Sequence, residues 1–192
     1  DIYGSHEYMK ESFNLFARKL TSNGRLFYRD GLPIITADLP AGVHYETYAV
    51  GGSGNYRAEE IVIREGRYFF TFHGPQGIWK DVELGLPGTH NVENAVAAIA
   101  VALAVGLDEQ QIRAGLSSFA GVKRRFEYRI RRSDLVLIDD YAHHPEELRA
   151  CIGSVRELYP DKRITGVFQP HLFTRTRDFA DGFSEALSLL DE

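Results

Sequence analysis

Residues 135–177 read LVLIDDYAHHPEELRACIGSVRELYPDKRITGVFQPHLFTRTR, and their order decides the fold class. Leu135–Ile138 is a short apolar run of strand type. Pro145–Tyr159 follows as a helix. Proline suits the first helical position, and Glu146 and Glu147 fall in the first turn, where the helix dipole favours negative charge. Leu148, Ile152, Val155 and Leu158 give that helix its inward stripe. Cys151 lies on the same stripe and reads as a core filler, not a nucleophile. Ile164–Phe168 is a second strand-like run, and Phe179–Leu190 a second helix. The order strand, helix, strand, helix predicts parallel strands joined by a right-handed crossover.

Ligands in open α/β sheets gather beyond the carboxyl ends of the strands. The first run ends in Asp139-Asp140-Tyr141-Ala142-His143-His144-Pro145. The second ends in Gln169-Pro170-His171-Leu172-Phe173-Thr174-Arg175-Thr176-Arg177. Parallel neighbours would bring both loops to one edge, with two carboxylates, three histidines and two arginines. A solvated loop explains any one of these residues, but less readily the pair of loops. Adjacent His143 and His144 point apart on most backbones, and no Cys or Glu spacing completes a zinc site, so no metal site is predicted.

Working toward the amino terminus, the pattern changes near 121–124, which predicts two domains, 1–122 and 123–192. Lys123-Arg124-Arg125-Phe126 sits at that boundary. Arginine suits phosphate because its planar fork donates two parallel hydrogen bonds; a solvated charge run is the plainer alternative. Gly88-Thr89-His90-Asn91-Val92-Glu93-Asn94 joins a strand (Trp79–Leu86) to an alanine-rich helix (Asn91–Val105). Asn91 and Asn94 share a helix face, and amides that both donate and accept suit a purine edge. Simple N-capping competes with that reading. Gly106 should stop the helix, and Asp108 should cap a further one with Ile112, Leu116 and Phe119 inward.

Four β-rich runs precede this region: Gly24–Tyr28, Val43–Val50, Arg57–Glu65 and Arg67–His73. Glu65-Gly66 predicts a tight hairpin. Gly51-Gly52-Ser53-Gly54 is a turn cluster; no Gly-Lys-Ser/Thr follows, so it is no phosphate-binding P-loop. An opening helix, Glu7–Leu20, is expected with Ser5 as N-cap and Met9, Phe13, Phe16 and Leu20 inward.

The chain has 192 residues, 44% hydrophobic, enough for a real core. Its net charge of −5 gives no support to nonspecific nucleic-acid binding. A single cysteine excludes an internal disulfide and fits a cytoplasmic setting. No apolar run is long enough to span a membrane, and no signal peptide is visible. The chain opens on Asp1, which suggests a fragment or processed product.

Four motifs therefore stand in series: G-x-H-N-x-x-N before an alanine-rich helix, R-R-F at the boundary, D-D-Y-x-H-H-P, and Q-P-H-x-F-T-R-T. Together they resemble the Mur ligases, ATP-dependent peptide-bond ligases, over nearly the whole chain. The HHP and QPH segments are more specific to the branch that adds L-alanine to UDP-N-acetylmuramate. The opening Asp1-Ile2-Tyr3-Gly4-Ser5-His6-Glu7 is similar to the segment just after that family's central-domain histidine. The resemblance implies part of a central ATP-binding α/β domain that lacks its P-loop, followed by the start of a Rossmann-like parallel-sheet domain. It implies that Asn91 and Asn94 contact adenosine and that Arg125 meets the γ-phosphate as the catalytic arginine. Asp140 would hold the nucleotide from the carboxy-terminal side, with Tyr141 near adenine. His143, His171 and Arg175 would surround the amino acid; some relatives carry arginine where Leu172 stands. ATP and Mg2+ are the implied cofactors, the magnesium ligands mostly upstream of Asp1. UDP-N-acetylmuramate, L-alanine and the missing amino-terminal portion are the implied partners, and the fragment alone should be inactive. Two rivals stay open: a family member that attaches a preformed peptide during wall recycling, and a noncatalytic Mur-like binding module.

Overall fold

The computed structural model describes residues 5–192. Asp1–Gly4, the start of the opening segment, lies outside the described residues. The elements run α1 (His6–Ala17), β1 (Arg25–Arg29), β2 (His44–Val50), β3 (Tyr56–Arg64), β4 (Arg67–Gly74), β5 (Gly77–Leu84), α2 (Thr89–Ala104), α3 (Glu109–Ser118), β6 (Glu127–Arg131), β7 (Val136–Asp139), α4 (Pro145–Leu158), α5 (Phe173–Asp178) and α6 (Ala180–Leu187). A five-stranded sheet has the order β1-β2-β3-β4-β5, and β6 pairs with β7 in a separate two-stranded sheet. β1 and β2 pair in parallel, as do β2 and β3. The architecture is α/β, with its parallel pairs in the first sheet.

The described chain forms two compact units. One comprises Asp1–Glu60, Phe70–Val82 and Glu93–Ile112; the other comprises Ile61–Phe69, Glu83–Val92 and Arg113–Glu192. In the first unit an aromatic run fills the core. Phe27 meets Tyr56 edge-on at 5.9 Å between centroids, Tyr56 stacks on Phe72 at 6.3 Å, and Phe72 tilts onto Trp79 at 4.8 Å. The Tyr56 hydroxyl donates to Glu46, and burial together with that carboxylate pushes its pKa up to about 12. From α2, Val96, Ile99 and Ala100 are fully buried.

Local signals act as expected in several places. Ser5 Oγ accepts from Tyr8 N at 3.1 Å and starts α1. Glu65 and Gly66 have φ of 52° and 75°, the two positive values a two-residue hairpin turn requires. Gly106 (φ 93°) closes α2 with bonds from its own N–H to Leu103 O and from Leu107 N to Ala102 O. Asp108 Oδ1 accepts from Gln111 N while Gln111 Oε1 accepts from Asp108 N, a reciprocal cap on α3.

Three expectations are corrected. Phe13 and Phe16 of α1 are exposed; the buried residues are Asn14 and Ala17. The Asn14 amide fixes that choice: Nδ2 donates to Lys10 O and Pro33 O, and Oδ1 accepts from Ile35 N at 2.7 Å. Two hydrogen bonds to the 33–35 loop, with a third back to the helix at Lys10, outweigh an apolar stripe. Phe119 is likewise exposed, past the end of α3. The largest difference lies at Ile164–Phe168, which is no strand. Its backbone bonds go to the end of the chain. Ile164 N donates to Asp191 Oδ2, Gly166 N to Glu192 O, and Asp191 N to Ile164 O. β7 instead pairs antiparallel with β6, with Glu127 opposite Asp139. The expected helix from Phe179 is present as α6, and a further short helix, α5, precedes it over Phe173–Asp178.

Within the second unit Tyr68 on β4 donates to Glu157 of α4 at 2.7 Å, and burial raises its pKa. The Tyr159 and Tyr128 hydroxyls bond at 3.2 Å. Ile152, Phe183 and Ala186 are buried where α4 packs on α6. Arg149 bridges Glu146 and Glu185 on the rim.

Candidate functional site

The second unit carries most of the candidate residues, and a strained turn organises them. Arg124 and Phe126 have φ of 57° and 51°. A left-handed backbone costs an ordinary residue roughly 1–2 kcal/mol, so the turn needs outside support. Asp140 provides it: Oδ2 accepts from Phe126 N at 2.7 Å, and Oδ1 accepts from Ala142 N at 2.7 Å. Tyr141 N donates to Arg124 O at 2.7 Å, and Arg124 N donates to Glu127 Oε2 at 3.0 Å. That backbone bond, ahead of the Arg129 side chain, lowers the Glu127 pKa. Phe126 is anchored inside, its ring edge-on to Tyr128 at 5.7 Å, while Arg124 and Arg125 project outward.

The loop after β7 leads into α4. His144 is the N-cap, its Nδ1 facing Glu146 N at 3.3 Å, and Pro145 takes the first helical position. His143 Nδ1 lies 2.8 Å from Tyr141 O and 3.2 Å from Glu147 Oε2. A carbonyl oxygen only accepts, so this nitrogen carries a proton and donates. The rings of Tyr141 and His143 are 5.0 Å apart. Glu147 Oε2 also accepts from His143 N at 2.9 Å, and its Oε1 lies 3.9 Å from the Arg125 guanidinium.

Asp140, Tyr141, His143 and His171 all line one cavity of about 970 Å³. Its body is apolar, bounded by β7, α4 and residues 162–168. Residues 140–143, 169 and 171, from the two loops, supply polar groups to its lining, although the second parallel strand that the strand-end rule assumes is absent. Cys151 lines the apolar part; burial first, then Asp140, pushes its thiol up to about 12. Arg125, Asn91, Asn94 and Arg175 do not line this cavity. Arg175 lies on α5, whose N-cap Leu172 is a strained residue (φ 66°) that makes no side-chain cap bond. Its neighbour Arg177 is paired with Asp178 at 2.8 Å.

The strand-to-helix motif at 88–94 opens α2. Gly88 has φ 101°, and a Cβ there would come within 2.7 Å of the His90 ring and 2.8 Å of Ser154 Oγ, so only glycine fits. Asn91 Nδ2 donates to Pro87 O at 2.6 Å, which sets the orientation of its amide. Asn94 is exposed one helical turn further on. The His90 pKa is lowered, first by desolvation and then by Arg125, against an opposing pull from Asp140. His90, Arg125 and Asp140 are therefore electrostatic neighbours. Among the described residues no group of three or more His, Cys, Asp or Glu side chains could hold a metal ion.

Two residues escaped sequence reasoning. His90 lay inside a quoted motif but had no assigned partner. Glu147 was read only as a favourable first-turn charge, although its four-residue spacing from His143 puts the two on neighbouring turns. The result is a surface that can grip anions from Arg124 and Arg125, beside acceptors and donors from 140–143 and 171.

An arginine-bearing turn stands near a loop-built polar pocket in an α/β frame. The Mur ligase middle domain matches residues 1–102, and the Mur ligase glutamate ligase domain matches 124–192. The chain belongs to the Mur ligase family. It is 47% identical over 192 residues to UDP-N-acetylmuramate–L-alanine ligase of Parabacteroides distasonis, covering 100% of this chain and 41% of that protein. It is 48% identical over 193 residues to the ligase of the same name from Porphyromonas gingivalis, covering 100% of this chain and 42% of that one. Among solved structures, UDP-N-acetylmuramate-alanine ligase from Thermotoga maritima superposes with a TM-score of 0.76 at 26% identity, over 98% of this chain and 40% of that one. A murein peptide ligase from Psychrobacter arcticus shares the fold at a TM-score of 0.59 and 23% identity, over 96% of this chain and 39% of that one. The chain thus spans about two fifths of the length of the curated relatives it matches. No described helix is long and apolar enough to cross a membrane.

Proposed function

We propose that this chain is a segment of a cytoplasmic ATP-dependent ligase that joins L-alanine to UDP-N-acetylmuramate in the synthesis of peptidoglycan precursors. The observation that carries this reading is the identity of 47–48% along the full chain to relatives of that name. The lining of one cavity by residues 140–143 and 171 supports it. Residues 1–122 are the partial central domain and 123–192 the partial carboxy-terminal domain, a division supported by the family matches at 1–102 and 124–192. The described residues hold no group of three or more His, Cys, Asp or Glu side chains placed for a metal ion, and the magnesium ligands and the P-loop are assigned to the rest of the full-length enzyme.

The reaction has two steps. A carboxylate oxygen of the sugar's lactyl group attacks the γ-phosphorus of ATP, the bond to the β-phosphate oxygen breaks, and ADP leaves. The amine of L-alanine then attacks the acyl-phosphate carbonyl; the amide forms, inorganic phosphate departs, and the amine gives up a proton. Such chemistry is mainly positioning and charge neutralisation. Arg125, held outward by the 122–126 turn, neutralises charge on the γ-phosphate. Asn91 and Asn94 contact adenosine, Tyr141 packs near the base, and Asp140 holds the nucleotide side. Each Asp140 oxygen accepts one backbone N–H, and a carboxylate oxygen has a second lone pair for a hydroxyl. His143, His171 and Arg175 receive the amino acid, whose carboxylate suits a bidentate arginine.

Arg125→Ala in the full-length enzyme tests this assignment. A contact that strengthens as charge develops is worth on the order of 3 kcal/mol, so kcat should fall by about two orders of magnitude while ATP affinity changes little. Weaker ATP binding with kcat intact would make Arg125 a ground-state binder and overturn its role.

A further inference from the structure

We propose that Glu147 is a positioning residue that registers the arginine of the nucleotide side against the histidine of the amino-acid side. The inference rests on the ligase reading above and adds a residue to it. One carboxylate serves both partners. Oε2 accepts the His143 backbone N–H at 2.9 Å and lies 3.2 Å from the His143 ring nitrogen Nδ1. Oε1 lies within ion-pair reach of Arg125, at 3.9 Å. Arg125 sits on a turn and His143 on a loop; Glu147 belongs to α4, whose start is fixed by the His144 cap and buried Pro145. A regular element thus sets two loop residues through a shared anion.

A plain helix-capping role for Glu147 is the alternative. A capping glutamate at the third helical position reaches back to the cap residue itself. Glu147 reaches past His144 to His143 and turns its other oxygen toward Arg125, which capping does not require. On the Asp140 side, the turn that carries Arg125 is already fixed at its backbone. Glu147 acts on the guanidinium, the part that backbone bonds leave loose. Removing it would let Arg125 swing while the turn stays folded. His143 would lose the acceptor that shares its Nδ1 proton with Tyr141 O.

The test is a pair of double-mutant cycles in the full-length enzyme, Glu147→Ala with Arg125→Ala and Glu147→Ala with His143→Ala, read in kcat and in KM for L-alanine. Groups that share one interaction depart from additivity by 0.5–3 kcal/mol, which is a twofold to roughly hundredfold mismatch. The expected result is a mismatch of at least about threefold in kcat for the first cycle and in KM for L-alanine for the second. Glu147→Gln keeps an acceptor for the His143 amide but removes the charge, so it should restore the His143 effect and not the Arg125 effect; it also serves if the alanine variant fails to fold. Additive effects in both cycles, with Arg125→Ala and His143→Ala each impaired, would overturn the role of Glu147 alone. Kinetically silent Arg125→Ala and His143→Ala would overturn the ligase assignment of those two residues, and this inference with it.

Discussion

Asp140 uses both carboxylate oxygens on backbone amides, so its first effect is on the shape of the 122–126 turn. Asp140→Ala would orphan two N–H groups at about 1–3 kcal/mol each and release the left-handed Arg124 and Phe126. Hydrogen–deuterium exchange across residues 122–128 should accelerate by at least about tenfold; unchanged protection would mean the turn holds itself. His90 predicts a pH effect. Its folded pKa lies below the ordinary 6.5, so the unfolded chain binds the extra proton first. Its contribution to stability is therefore present above about pH 6.5 and is lost as pH falls from there through the folded pKa. His90→Gln should flatten that part of the curve of unfolding midpoint against pH, and an unaltered curve would acquit His90. Arg175 lies outside the cavity, beside a paired Arg177. If it grips the substrate carboxylate, Arg175→Ala raises KM for L-alanine about tenfold or more and leaves that for ATP nearly unchanged. An unaltered KM for L-alanine would reduce it to a surface charge worth about 0.3–0.5 kcal/mol.

At the scale of elements, what could be read from sequence was whatever depends on neighbours in the chain. The Ser5 and Asp108 caps, the Glu65-Gly66 hairpin, the Gly106 stop and the proline start of α4 are all encoded within four or five residues. What could not be read depends on distant partners. α1 turned its apolar stripe outward because the Asn14 amide bonds to residues 33 and 35, about twenty positions away. β6 went unnoticed because Glu-Tyr-Arg-Ile-Arg continues a basic run, and its strand character comes from pairing with β7. Ile164–Phe168 has strand composition, yet its backbone bonds are taken by residues 191 and 192. In the site, residues 140–143 and 171 were singled out in the sequence and line one cavity, although the parallel strand pair behind that expectation did not form; Glu147 emerged only once Arg125 and His143 were seen on either side of it. The α1 finding is testable. Asn14→Ala should speed exchange of the Ile35 amide, because its acceptor is gone, and should loosen the 33–35 loop by about 1–3 kcal/mol. Retained protection of Ile35 would show that the loop is held by something other than that amide.

At the scale of the whole molecule, the residues present divide the labour of a ligase unevenly. They supply the arginine turn, the amides proposed to contact adenosine and the loops proposed for the amino acid, but no P-loop sequence and, among the described residues, no group of three or more potential metal ligands. Residues 1–192 alone should therefore form no ADP above a heat-killed control; measurable turnover would mean that phosphate is cradled by residues within this segment. The central claim is that the full-length enzyme uses L-alanine as the amine that captures an activated UDP-N-acetylmuramate. Its most direct test is phosphate release by the full-length enzyme with ATP and UDP-N-acetylmuramate, comparing L-alanine, a preformed wall peptide and no amine, with the nucleotide product identified by mass. The account predicts release that depends on L-alanine and a product heavier by one alanine residue; release driven by the preformed peptide, or none with L-alanine, would contradict it.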